Sequence, residues 1–376
     1  MTRWTDEFLD PMRRLGDPLA DQTTEALFQQ HKITMANGLL KDALTNGSPL
    51  PDGVPEVLKD YFAQSARLPK WADPAVIERG ERLFSRYGPQ VIVVYHCYAL
   101  PFCYASRRGV QVLHRTSRLA KNPQRRILET AQMIVDVMAP GGLTRPDCHG
   151  VRTAQKVRLM HSAVRRLILQ HGDWNQADLG LPINQEDMAG TLNAFAWITL
   201  DGLIRLGVDF TPDELEAYLH CWNVVGSLLG IREELLPQTF GDGRDLAEAL
   251  DRRHFETCAE GREMQAALLE MMEYQIPGDV FDGIPATLTR RLLGDRVSDM
   301  LDVPPSDWTK VIFKPLRFLS MLSDTSGDSA WALAKLSEVF GRQLLNAIIW
   351  ANRGKDRPRF NIPAELVQTW QLNWVA

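Results

Sequence analysis

Between Gln155 and Leu169, Val157, Met160, Val164, Leu167 and Ile168 recur at three- and four-residue spacing, which predicts a helix with a buried apolar stripe. Upstream, residues 1–75 are interrupted by Pro11, Pro18, Pro51, Pro55, Pro69 and Pro74 and read as short helices joined by turns, with Trp4 and Trp71 as packing anchors. Val76, Ile77 and Leu83 predict a helix over 74–86 that ends near Gly88-Pro89. The apolar run Val91 to Leu100 has the β-branched content of a strand, but no comparable partner strands follow, so it is read as a buried helix broken by Pro101. A helical pattern resumes from Tyr104 to Leu119.

Asn122 as N-cap and Pro123 at the first helical position then open a helix over Gln124–Met138, which Ala139-Pro-Gly-Gly terminates. A long helix is predicted over Met188–Leu206. Thr211-Pro-Asp-Glu is a capping box, opening a helix that runs to Leu229. Further helices are expected at Gly243–Gln275, Pro285–Leu293, Trp308–Met321 and Ser329–Ala351, and Trp370 and Trp374 mark the tail 353–376 as a segment that docks on the body. With no internal repeat and no clear linker, the expectation is an all-α fold: a helical wrap over 1–75, a main domain over 76–352 and the docking tail, together one compact domain.

The 376 residues, 45% apolar and 24% charged, are enough to enclose a cofactor in a core. A net charge of −5 argues against nucleic acid as a general partner. No window of about twenty apolar residues suggests a membrane span. The N-terminus carries no export signal, and five cysteines without a Cys-x-x-Cys pair fit reduced thiols, so a cytoplasmic location is expected, with a processed secreted form left open.

The chemistry is concentrated on two helices. Arg158, His161 and Arg165 stand at i, i+3 and i+7 on one side of the 155–169 helix, and nothing acidic on that helix offsets them. Another anion must meet these cations. Haem suits the set, since its iron takes an imidazole and its propionates take guanidinium groups, whereas the plain alternative is a buried structural histidine with exposed arginines. On the 124–138 helix, Arg126, Glu129 and Thr130 share a face. Cys-x-x-Cys-His, Gly-x-Gly-x-x-Gly, the phosphate-binding Gly-x-x-x-x-Gly-Lys loop, His-Glu-x-x-His and Gly-x-Ser-x-Gly are all absent. His171-Gly-Asp173 matches part of a non-haem iron triad, but in helical surroundings rather than on a β-scaffold. His96, His114, His149, His220 and His254 read as structural or surface residues.

The series Ala99-Leu-Pro-Phe-Cys-Tyr, Arg126-Ile-Leu-Glu-Thr, Val157-Arg-Leu-Met-His-Ser-Ala-Val-Arg, Pro182-Ile-Asn-Gln-Glu and Tyr218-Leu-His-Cys-Trp-Asn-Val-Val-Gly resembles the latex-clearing protein and MpaB-type oxygenase family over roughly residues 80–235. The resemblance implies a globin-like helical core around non-covalent haem b, the oxygenase occupying 76–352. By the same resemblance, His161 matches the proximal iron ligand, Arg126 and Thr130 the distal-side pair, and Thr191 and Leu192 a haem-pocket pair. Arg158 and Arg165 are candidates for propionate or helix-packing contacts. Glu129 stands where rubber-cleaving members carry a lysine able to occupy the distal iron position. Those members insert both atoms of O2 across a carbon–carbon double bond of polyisoprene. The expected activity is thus haem-dependent dioxygenation of an apolar alkene, with an isoprenoid among the candidates. Competing readings are another haem oxidation of monooxygenase or peroxidase type, a haem or O2 carrier without turnover, and a helical scaffold without cofactor. The oligomeric state is open.

Overall fold

A computed structural model describes residues 2–39, 44–119, 123–275, 283–305 and 340. Among these the regular structure is helical throughout, with one isolated bridge between Ser106 and Phe255. The N-terminal wrap consists of α1 (Asp6–Met12), α2 (Pro18–Gln29), α3 (Ile33–Leu39) and α4 (Glu56–Ser65). Then come α5 (Pro74–Val94), a π-helical segment (Tyr95–Ala99), α6 (Leu100–Ala105), α7 (Val110–Leu119), α8 (Pro123–Met138) and α9 (Gly150–His171). The remainder is α10 (Gln176–Leu179), α11 (Gln185–Phe195), α12 (Trp197–Arg205), α13 (Pro212–Leu228), a 3-10 turn (Glu233–Leu235), α14 (Phe240–His254), α15 (Ala259–Gln275), α16 (Ile284–Leu293) and α17 (Asp295–Met300). The expected helices 308–321 and 329–351, the tail and the Asn122 cap lie outside the described residues.

Local chemistry explains most starts. Asp17 caps α2 with Pro18 behind it, Asp73 caps α5 with Pro74 behind it, and Thr211 with Glu214 completes the capping box of α13. The helix read over 74–86 ends as expected beside Gly88-Pro89, at a kink where Tyr87 is non-helical (φ −109°, ψ 17°), and a second helical stretch runs on from there to Val94. Three expectations are corrected. Pro101 does not break the chain, because the wide π turn before it makes room for the ring, and the helix stops at Ser106 instead. The 188–206 helix is two, α11 and α12, divided at Ala196 (φ −93°, ψ −87°). Carbonyls freed there are met by side chains: Thr199 donates to Ala194 O (3.2 Å) and Tyr218 to Phe195 O (3.4 Å). The 243–275 region likewise divides, since residues 254 to 256 leave the helix to hydrogen-bond with 105 and 107.

Two apolar cores result. The larger gathers α5, the π segment and α11 to α16, with α5 against α13 so closely that a Cβ at Gly80 would sit 2.6 Å from Ala217 O. The smaller joins α2 and α4 to Leu159, Ala163, Val164, Leu167 and Ile168 of α9. Met160 and Ile183 touch both. Trp4 is the buried anchor expected of it, whereas Trp71 is 38% exposed and hydrogen-bonds Glu233. Among the described residues no helix is long and apolar enough to cross a membrane.

Candidate active site on the α8–α9 hairpin

α8 and α9 form an antiparallel pair whose closed end is fixed by backbone contacts. Gly150 N donates to Gly142 O (3.0 Å), and a Cβ at Gly150 would fall 2.5 Å from that oxygen, so only glycine permits this approach. Thr153 of α9 donates to Asp136 of α8 (2.7 Å), whose other oxygen accepts from Gln132. Asn46, far away in sequence, caps α9 by accepting from Val151 N (2.9 Å) and Arg152 N, while its amide donates to Gly142 O and Arg145 O. From α5, Glu81 accepts from Gly141 N (2.8 Å), and burial pushes its carboxyl above the usual range.

The Thr153–Asp136 bridge sets the register of the pair. His161 lies eight residues beyond Thr153, about 12 Å along α9, and Glu129 seven residues before Asp136, about 10 Å along α8. His161, Glu129 and Thr130 therefore stand at similar heights on neighbouring helices, and all three are half-buried. Arg126 falls on α8 as well, with its side chain outside the described part of the structure.

The anions that meet the α9 arginines come from the N-terminal wrap. Arg158 makes a two-pronged pair with Asp17 (2.5 and 2.7 Å), Arg165 pairs with Asp21, and Arg166 with Glu25 (2.7 Å). Of the two roles open to Arg158 and Arg165, helix packing is the one displayed, and haem propionates are not needed to neutralise them. Asp17, Asp21 and Glu25 were missed from sequence, although their i, i+4, i+8 spacing on a helix is a legible acidic stripe. The 191–192 pair divides: Leu192 is buried at 3% against Gly226 of α13, while Thr191 is exposed and donates to Asp187 O (2.9 Å).

The Pro182-Ile-Asn-Gln-Glu segment is a buried polar hub. Arg165 donates to Pro182 O (2.9 Å) and Ile183 O (2.7 Å), holding Ile183 at φ +53°, a conformation costly for a β-branched residue. Asn184 caps α11, and Gln185 ties Gly16 O and Gly230 O together. Glu186, fully buried, meets Arg13 (3.1 Å), Arg253 (2.8 Å) and His254 (3.0 Å). Burial works to raise its pKa, but His254, Arg253 and Arg13 together outweigh burial and hold it at about 2.

Five of the other histidines have structural partners. His96 Nδ1 donates to Ile92 O, His114 meets Glu263, His149 meets Leu44 O, His220 accepts from Asp73 N, and His254 meets Glu186. Asp173 is paired with Arg115. Among the described residues no three His, Cys, Asp or Glu side chains are grouped to hold a metal ion. Among the described residues His161 thus belongs to no protein-only metal cluster. A single imidazole fits haem, whose porphyrin would supply the iron's other nitrogen ligands and ask the protein for one.

A family model described as "ER-bound oxygenase mpaB/B'/Rubber oxygenase, catalytic domain" matches residues 99–320, more than half of the chain. The rubber oxygenase of Streptomyces sp. (strain K30) is 28% identical over 293 residues, covering 76% of this chain and 70% of that protein. The solved structure of latex clearing protein LCP in the closed state superposes with a TM-score of 0.76 at 23% identity, covering 89% of this chain and 91% of the other, a likeness of fold.

Proposed function

This chain belongs to the ER-bound oxygenase mpaB/B'/rubber oxygenase catalytic-domain family, and on that footing we propose that it is a haem-b-dependent dioxygenase cleaving a carbon–carbon double bond of an apolar, polyisoprene-like alkene. The observation that carries this reading is the place of the His161 imidazole, level with Thr130 and Glu129 on the antiparallel neighbour helix and outside any metal-ligating cluster among the described residues. When bound, haem supplies the electron density that activates O2. In the overall reaction the alkene C=C and the O=O bond are broken and two carbonyls form, with no outside reductant. His161, on α9, would hold the haem iron. Thr130 and Arg126 donate hydrogen bonds towards the negative charge that develops on oxygen. Glu129, a carboxylate where rubber-cleaving relatives carry lysine, would not supply a lysine-type nitrogen to a bound haem and could hold or release a proton instead.

An absorption spectrum of purified protein tests the first step. His161→Ala should lose the Soret band or most bound haem, and full haem with an unchanged spectrum in that variant sinks the assignment. In the loaded enzyme, Thr130→Ala and Arg126→Ala should lower turnover roughly 100-fold with haem content intact. Labelled O2 should place both atoms in the carbonyl products. Glu129→Gln should change turnover with haem content intact.

A further inference from the structure

We propose that Asp17 and Asp21 of α2 are positioning residues for His161, fixing the rotation of α9 through Arg158 and Arg165 and so the aim of the imidazole. The proposal rests on the reading of His161 as the iron ligand.

The two pairs bracket the histidine. Arg158 precedes it by three residues and Arg165 follows it by four, which puts their bearings about 60° and 40° around the helix from His161, on the same side. Both are built rather than incidental contacts. Asp17 and Arg165 are each 3% exposed, and the carboxylates stand one helical turn apart at the start of α2, while the arginines stand about two turns apart on α9. Each pair also has a glycine that makes room for it. A Cβ at Gly16 would lie 2.6 Å from Asp21 Oδ2, and one at Gly230 would lie 2.3 Å from Asp17 Oδ2 and 2.7 Å from Arg158 Nε. Arg158 reaches Leu228 O as well, and Arg165 reaches Pro182 O and Ile183 O, so each guanidinium joins α2, α9 and a third segment.

Fixing rotation matters because a side-chain tip rides about 5 Å from the helix axis, so a turn of about 20° moves it about 2 Å. Misplacements of that size are large against the tolerance of a catalytic centre. The third pair, Arg166 with Glu25, serves as an internal control: it joins the same two helices, but points well away from the bearing of His161 and leaves Glu25 46% exposed.

The test uses the full haem-loaded chain. Asp17→Ala and Asp21→Ala, singly and combined, are compared with Glu25→Ala by ferric electron paramagnetic resonance, iron midpoint potential and haem dissociation rate. The combined variant should change the rhombicity of the ferric signal and speed haem loss at least tenfold, Asp17→Asn should recover part of the change by keeping an acceptor for Arg158, and Glu25→Ala should match the unaltered protein. A combined variant with the original signal and dissociation rate overturns the proposal, as does a Glu25→Ala variant that changes equally. Should the combined variant not fold, Gly16→Ala, which crowds Asp21 without removing a charge, is read in its place by the same criteria. His161→Ala is measured alongside: if it leaves the spectrum unaltered, the failure lies with the iron-ligand reading and not with the positioning pairs.

Discussion

Glu186 and Glu81 are both withdrawn from water, at 0% and 1% exposure, yet they leave the ordinary glutamate range in opposite directions. Glu186 sits among Arg13, Arg253 and His254, and their charge overcomes the burial that would raise it. Glu81 has burial as its chief influence and only backbone amides of the α8–α9 loop opposing it, with one oxygen, Oε1, buried without a hydrogen-bond partner. The backbone dipoles around Glu81 do not offset its desolvation, whereas the full opposite charges around Glu186 do. The frame around His161 is thus held by a charged clamp on the α1–α11–α14 side and a nearly neutral one at the hairpin's closed end.

That contrast is sharpest under substitution. Glu186→Gln removes the buried carboxylate that Arg13, Arg253 and His254 share, leaving Arg13 with Asp187 and Arg253 with Asp6 and Asp10, and should cost about 2–4 kcal/mol, read as a shifted denaturant midpoint. The native acid dependence follows the same group: its pKa is depressed to about 2, so its contribution is complete above the unfolded glutamate range and is lost as pH falls through that range towards about 2. In Glu186→Gln that part of the acid limb should vanish. Next in size, Gly150→Ala at the neutral end forces a methyl group against Gly142 O and should cost about 1–3 kcal/mol with no dependence on pH or salt. Smallest is Glu81→Gln. Its raised folded pKa means that the native protein loses stability as pH rises from the unfolded glutamate range through the folded value, so the amide, which keeps an acceptor for Gly141 N, should be within about 0.5 kcal/mol of the parent at pH 5 and gain on it at pH 8. A Glu81→Gln variant as damaged as Glu186→Gln would erase the distinction between the two clamps.

Periodicity made the helical class legible, together with α8, α13 and α16 almost to the residue, while α9 begins at Gly150, five residues before the stretch read from its apolar stripe. It failed where the deciding group was distant. Ala196 interrupts a continuous helical pattern because Thr199 and Tyr218 can receive the freed carbonyls, and the α9 N-terminus is capped by Asn46 from over a hundred residues away. At the site, the polar faces of α8 and α9 were visible from spacing alone. The partners of Arg158 and Arg165 were not, since the acidic stripe at Asp17, Asp21 and Glu25 marks a charged face without saying which helix meets it. Pro182-Ile-Asn-Gln-Glu stood out as a motif, and its role as a buried hub became plain only when Arg13, Arg253 and His254 were brought to Glu186.

The π segment Tyr95–Ala99 has a consequence for kinship. A wide turn of this kind is a helix that has accepted one residue more than its length requires, with Leu100 N reaching back to Tyr95 O. A relative with an ordinary turn here would be one residue shorter, and without that gap its Tyr98 and Pro101 equivalents would swing by about 100° relative to the helix before them. The footprint of this turn in a sequence comparison is therefore a single-residue gap beside Pro101, a mark of descent that substitutions in the surrounding core would leave intact.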